Sequence, residues 1–180
     1  MPAGSDRVED ARRLHAYNVQ VLGRYERSVA RRPWSEATAD VGIGHRSLKD
    51  TLVHILNVHE AWLVAIAQDR WEVFDAEDRQ PENVASWAMY RSYRDRVWAG
   101  IGPLLGELTD RRLGSRVRAP WMPGRYTLSD AFRQVSFEQA HHLGEVIGVY
   151  WQRDRAPPTM TWIENLPRLR PKARAGRHRH

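Results

Sequence analysis

Apolar residues recur at intervals of three and four in four separate stretches, and this periodicity constrains the fold more than any other feature of the chain. The stretches cover roughly residues 6–30, 47–69, 82–107 and 128–153. Such spacing places apolar side chains along one face of an α-helix. Alternation of polar and apolar residues never extends beyond a few positions. We therefore predict an all-α protein, a four-helix bundle without a sheet of consequence.

Local signals support the start of two helices and the end of the last one. "SLKD" at 47–50 and "TLSD" at 127–130 each place a hydroxyl residue three positions before an acid, which is typical of a capped helix N-terminus. "RAPPT" after the fourth stretch ends that helix. The predicted organisation is a bundle domain at 1–153, an extended C-terminal segment at 154–166 and a basic, disordered tail at 167–180.

The distribution of charge argues against a nucleic-acid-binding face. The chain has a net charge of +6, from 28 Lys and Arg against 22 Asp and Glu, and a basic balance of this kind is typical of nucleic-acid binding. However, six Lys or Arg and no acid lie in "PRLRPKARAGRHRH" at 167–180. The preceding 166 residues carry 22 charges of each sign. We therefore assign the excess to the tail and do not expect a nucleic-acid partner.

The absence of cysteine narrows the chemistry that the chain can perform. Disulfides, thiolate metal sites and a cysteine nucleophile are excluded. A metal site must therefore use His, Asp or Glu. The N-terminal "MPAGSDRVEDARRL" lacks the apolar core of a signal peptide, and no apolar run approaches about 18 residues. We expect a cytoplasmic protein that does not interact with a membrane.

The fourth stretch contains "FEQAHHLGEV", which brings one carboxylate and two imidazoles together. Glu138 and His142 lie one turn apart on the same helix face, whereas His141 turns towards solvent. A carboxylate and an imidazole at this spacing can bind one cation, but a metal site requires a further ligand. The second stretch offers His54 and His59, and periodicity does not choose between them. The alternative is an ordinary polar pair without a metal.

Residues outside these helices offer weaker signals. Trp121 lies in "PWMPG", on a predicted loop where its ring can line a ligand site or an interface. His15 and His45 lie among polar residues, and we expect both to be solvated. The sequence contains no glycine-rich phosphate loop, no G-x-S-x-G motif and no HExxH motif.

Two segments together resemble the DinB/YfiT-like superfamily, whose members are described as metalloenzymes. They are "SLKDTLVHILNVHEAWL" at 47–63 and "YTLSDAFRQVSFEQAHHLGEVIGVYW" at 126–151, and the resemblance covers roughly residues 8–153. It implies a four-helix bundle with one metal-binding His on the second helix and a His-x-x-x-His pair on the fourth. His54 matches the ligand on the second helix, and His142 matches the second His of the pair. Glu138 occupies the first position of that pair.

The resemblance therefore implies a divalent metal held by His54, Glu138 and His142. We expect this set to bind zinc or nickel, and because one ligand is a carboxylate, manganese and iron are the alternatives. The implied function is a metal-dependent enzyme, a thiol-dependent transferase or a hydrolase acting on a small-molecule substrate. Because the chain has no cysteine, any thiol must come from a low-molecular-weight cosubstrate.

The family resemblance also implies a homodimer. Trp121 or the exposed flank of a terminal helix would supply the apolar contact between the two copies. The alternative function is a non-catalytic helical module for binding or dimerisation. In that case the replacement of the family histidine by Glu138 would have left a degenerate metal site.

Overall fold

The computed structural model describes residues 5–165, and helices dominate it. In chain order the elements are α1 (Asp6–Ala30), α2 (Trp34–Thr38), α3 (Leu48–Glu60) with a π-helical continuation (Ala61–Ile66), three 3₁₀ turns (Trp71–Asp75, Glu77–Arg79 and Pro81–Asn83), α4 (Trp87–Gly106), α5 (Asp110–Leu113), β1 (Arg116–Val117), β2 (Tyr126–Thr127), α6 (Leu128–Gln152) and α7 (Trp162–Asn165). The predicted all-α class is confirmed, since the only strands in this part of the chain are the antiparallel β1 and β2. The basic tail predicted at 167–180 lies outside the described residues.

Side-chain caps begin the two helices that carry the candidate site. Ser47 accepts a hydrogen bond from the backbone N–H of Asp50 at the start of α3. Thr127 and Asp130 form a reciprocal capping box at the start of α6, in which each side chain accepts from the other residue's backbone N–H. These caps satisfy amide groups that have no partner inside the helix. Both helix starts that these signals predicted are therefore present in the structure.

The third long helix begins later than the sequence suggests. Its periodicity predicts a start near residue 82, whereas α4 begins at Trp87. Pro81 opens a 3₁₀ turn that ends at Asn83, and the Ser86 side chain then accepts from the backbone N–H of Met89. The proline and the later cap together move the helix start by five residues.

The four long helices share one apolar core. Helix α6 packs against both α1 and α3, and α3 packs against α4. Helices α4 and α1 are linked by an ion pair between Arg94 Nη1 and Glu26 Oε1, which lie 2.5 Å apart. The largest fully buried side chains come from all four helices: Tyr25, Leu22, Leu48, Leu52, Ile55, Leu56, Leu63, Tyr90, Tyr93, Ile101, Leu104 and Phe132.

The end of the second long helix is π-helical. All six side chains of Ala61–Ile66 are buried, so this segment is part of the core. π-helical turns inside α-helices are rare and occur mainly at functional sites. Trp62 and Ile66 of this segment line two different cavities, which are described below.

The chain after α6 lies along α1. Tyr17 donates a hydrogen bond to the carbonyl of Met160 at 2.5 Å, and Tyr25 donates to the carbonyl of Pro158 at 2.7 Å. The ring of Trp162 then packs on Tyr17. None of the helices within residues 5–165 is both long and apolar enough to cross a bilayer.

Candidate metal centre

Three histidines from three separate elements converge at one point. His45 lies in the loop before α3, His54 on α3 and His142 on α6, and their nearest ligand nitrogens all lie within 4.8 Å of one another. His45 stacks on His54 with ring centroids 3.7 Å apart. His142 meets both rings edge-on, at 4.5 Å from His54 and 4.8 Å from His45.

A tight loop presents His45. The backbone N–H of Val41 donates to the Arg46 carbonyl at 2.7 Å, and that of Arg46 donates to the Ile43 carbonyl at 2.8 Å. The loop contains two residues of positive φ, Gly42 at 71° and Arg46 at 66°. Glycine adopts this conformation without the steric penalty that Arg46 incurs. The closed loop therefore brings His45 back over the first turns of α3.

Glu145 fastens this loop to α6. One of its carboxylate oxygens accepts from the Gly44 backbone N–H at 3.3 Å, and the other contacts His142 Nδ1 at 2.9 Å. A Cβ atom at position 44 would lie 2.9 Å from Glu145 Oε1, so any other residue would displace the end of the Glu145 side chain. Burial raises the pKa of Glu145, but the interactions with His142, followed by those with Gly44 and His141, together outweigh burial, and the pKa lies below its ordinary value. The carboxylate is therefore ionised and holds both elements.

The contact with Glu145 also determines which nitrogen of His142 can bind a metal. With Nδ1–H donating to the carboxylate, Nε2 keeps its lone pair. A carboxylate behind a metal-bound imidazole is a common arrangement, because it orients the ring and raises its basicity. Nε2 of His142 faces Glu138 Oε2 at 3.4 Å.

The protonation of the cluster fits a metal site. Burial, followed by the neighbouring His45 and His142, lowers the pKa of His54 to about 4. Burial and then His142 also lower the pKa of His45. Neutral imidazoles are the form that binds metals, so His54 is available as a ligand at neutral pH without losing a proton. Nitrogens around a tetrahedral zinc lie about 3.4 Å apart, so the side chains of this set would have to rotate to reach binding distance.

Glu138 borders this cluster beside His142. Its Oε1 accepts a hydrogen bond from Gln134 Nε2 at 2.8 Å, and its side chain is about one third exposed (35%). The structure thus brings His54 and His142 together and leaves Glu138 next to His142. The ligand roles of all three residues stay predictions.

His45 is the residue that sequence reasoning missed. We expected it to be solvated, whereas it is half-buried and stacked on His54. The one available signal was its position in "GIGHRSLKD", in a short glycine-containing loop directly before a capped helix. The expectation that His15 is solvated is also wrong, because its ring is buried against Trp98.

The site helices carry two further histidines. His59 is fully buried and contacts Gln139 Oε1 through Nε2 at 3.0 Å, so it belongs to the core. His141 is exposed, as expected, but its ligand nitrogen also lies within 4.8 Å of one on His142. Of the two histidines between which periodicity did not choose, His54 is the one that lies in the cluster, and His59 does not.

A cavity of about 310 Å³ lies beside the cluster. Its lining includes His54, Glu138, Trp62, Trp121 and Met122, together with the polar side chains of Asn57, Arg79 and Gln134. Trp121 is about half exposed (51%) and lies on the loop where the sequence predicted it. A cavity of this size with apolar walls and a few polar groups is typical of small-molecule sites.

The chain is similar to a known protein family over most of its length. A sequence model described as the DinB superfamily matches residues 19–146, which is more than two thirds of the chain. The matched region contains all three cluster histidines together with Glu138 and Glu145. No curated protein matches the chain.

Proposed function

The chain belongs to the DinB superfamily, and on that premise we propose that it is a metal-dependent enzyme acting on a small molecule. His54 and His142 would hold a divalent metal together with His45, with Glu138, or with both. The convergence of three imidazoles from three elements at the edge of a cavity carries this proposal.

The surrounding side chains support a metal-binding role for the histidines. Burial, followed by the neighbouring imidazoles, disfavours protonation of His45 and His54, which leaves neutral nitrogen donors on both rings. Glu145 orients His142 and keeps the His45 loop against α6. Glu138 adds a carboxylate beside the free nitrogen of His142, where it can serve as a ligand or accept a proton from a bound substrate.

A divalent metal held here would supply Lewis acidity and lower the pKa of a bound water or thiol. Histidine nitrogens favour zinc or nickel, and a contribution from Glu138 would extend the choice to manganese or iron. A hydrolase would use water, whereas a transferase would require a thiol cosubstrate because the chain has no cysteine. Trp62, Trp121 and Met122 would pack against the apolar part of the substrate and exclude water.

Metal content tests the proposal directly. Protein purified without added metal and without a histidine tag should contain close to one divalent metal per chain. In calorimetric titrations of zinc and manganese into metal-free protein, His54→Ala and His142→Ala should weaken binding by at least about 100-fold, because loss of a ligand exceeds the effect of losing a supporting residue. Glu107→Ala is the control, since its side chain is exposed and lies at the end of α4, outside the cluster.

Three further variants identify the third ligand. If His45 binds, His45→Ala should weaken metal binding as strongly as His54→Ala. If Glu138 binds, Glu138→Ala should do so, and Glu138→His should retain binding with a stronger preference for zinc. Equally weak binding by the wild type and all variants would contradict the proposal and favour a non-catalytic helical module.

A further inference from the structure

A second cavity, of about 570 Å³, lies one helical turn along the π-helical segment from the first. Ile66 lines it, whereas Trp62 lines the cavity of the metal centre. Likewise, Pro120 lines the second cavity and Trp121 lines the cavity of the metal centre. The loop at 118–122 therefore separates two neighbouring spaces, and the second one contains none of the histidines of the metal centre.

The lining of this second cavity is cationic. Arg112, Arg116 and Arg118 contribute guanidinium groups, and Asp69 is the single acid in the lining. The Asp69 carboxylate accepts a hydrogen bond from Trp71 Nε1 at 2.6 Å. The charge comes from residues 111–129, which contain five arginines and no Asp or Glu. Residues 1–166 have no net charge as a whole, so their net charge does not reveal this local excess of arginine.

Two of these arginines are available to a ligand. Arg116 lies on β1 and Arg118 follows two positions later, so both side chains project from the same face of the extended chain, and both are exposed. Within residues 5–165, no carboxylate forms an ion pair with either one. Guanidinium groups bind phosphate oxygens through paired hydrogen bonds, and two adjacent groups can hold one phosphate between them.

The third arginine is held in place by the chain itself. Arg112 donates to the carbonyl of Ala67 through Nη2 and to Ser115 Oγ through Nη1, at 3.3 Å for the latter. Ala67 lies at the end of the second long helix, where unpaired carbonyls carry partial negative charge. Arg112 therefore offsets the charge that would otherwise repel an anion from this end of the helix.

We infer that this cavity binds a small phosphate ester of mononucleotide size, with its phosphate on Arg116 and Arg118 and its apolar part against Trp71. The concave shape and volume fall within the range of small-ligand sites. The inference is independent of the metal centre, because none of these side chains belongs to it.

Calorimetric titration with AMP, inorganic pyrophosphate and adenosine tests this site. AMP and pyrophosphate should bind and adenosine should bind at least about tenfold more weakly, because adenosine lacks the charged oxygens. Binding should weaken as the salt concentration rises. The double variant Arg116→Gln/Arg118→Gln should lose at least about tenfold in affinity for both phosphates. Both arginines are exposed, so the fold should survive, which circular dichroism can verify.

The matched control is Arg111→Gln/Arg125→Gln, which removes the same charge from the same segment. Both control arginines are exposed, and neither lines the cavity. Unchanged binding in this control supports the site. Three results would overturn the inference: no binding of either phosphate by the wild type at millimolar concentration, an equal loss in the control, or affinity for single-stranded oligonucleotides that grows with their length. The last result would identify a nucleic-acid surface in place of a small-ligand site.

Discussion

His15 and His59 are two buried histidines that the proposed metal chemistry does not use. Both rings pack edge-on against Trp98, with centroids 5.7 and 5.1 Å away. Among the described residues, Nδ1 of each ring has no hydrogen-bond partner. Burial lowers the pKa of His15 to about 4, and burial followed by the proximity of His15 lowers that of His59 to about 3. Both rings are therefore neutral in the folded protein.

Stability should consequently fall on mild acidification. Below the ordinary histidine pKa of 6.5, the unfolded chain binds protons that the folded chain excludes, and the loss continues until the pH reaches the folded pKa values. For His15 alone, the free energy of unfolding should fall by about 2 kcal/mol between pH 7 and pH 5. Urea unfolding of metal-free His15→Leu should show a correspondingly smaller decrease. His141→Leu serves as the exposed control, and an equal decrease in His15→Leu and wild type would contradict the prediction.

Among the elements, α6 contributes the most residues to the site, because it carries Glu138, His142 and Glu145 on consecutive turns. The helix begins with a capping box, in which Thr127 Oγ1 accepts from the Asp130 backbone N–H and the Asp130 carboxylate accepts from that of Thr127. The hydrogen bonds from Thr127 lower the pKa of Asp130, which keeps a negative charge at the positive end of the helix.

Removing this cap should weaken the fold without altering the site. Thr127→Ala should lower the free energy of unfolding by about 1 kcal/mol, whereas Thr127→Ser keeps the accepting hydroxyl and should change it little. His142 lies about four turns into the helix, so zinc affinity under native conditions should be unchanged in both variants. Urea unfolding and zinc titration measure the two effects separately. A parallel loss of zinc affinity in Thr127→Ala would show that the cap positions the site.

At the scale of the whole molecule, one face of α6 remains uncovered by the described chain. Phe137 and Trp151 are 73% and 67% exposed, and the small residues Ala140, Gly144 and Gly148 lie between them. A Cβ at Gly144 or Gly148 would meet nothing within 4 Å, so contacts within the chain do not explain these glycines. Phe137 and Trp151 each lie seven residues from Gly144. An antiparallel crossing at Gly144 would therefore place Phe137 on the partner's Trp151.

The predicted homodimer can be tested on this face. Sedimentation at micromolar concentration should give a species of about twice the 20.9 kDa chain mass. Phe137→Ser and Trp151→Ser should shift it to monomer, because each removes an aromatic contact that the two-fold axis repeats. Trp121→Ser should leave the dimer intact. A monomeric wild type would contradict the dimer, and loss of the dimer only in Trp121→Ser would place the contact on the loop.

Periodicity and local caps were enough to predict the helical class and three of the four long-helix starts, because periodicity and caps such as Thr127 act within a few residues. Pro81 and Ser86 also act locally, but the periodic pattern outweighed them and the start of α4 was misplaced. His54 and His142 could be paired only through the resemblance to a known family, because periodicity left His54 and His59 equivalent. The place of His45 depended on the contact between Gly44 and Glu145, two residues 101 positions apart. The basic cavity likewise forms only where the end of the second helix meets residues 112–120. Such contacts depend on how the helices pack, and a local pattern does not encode packing.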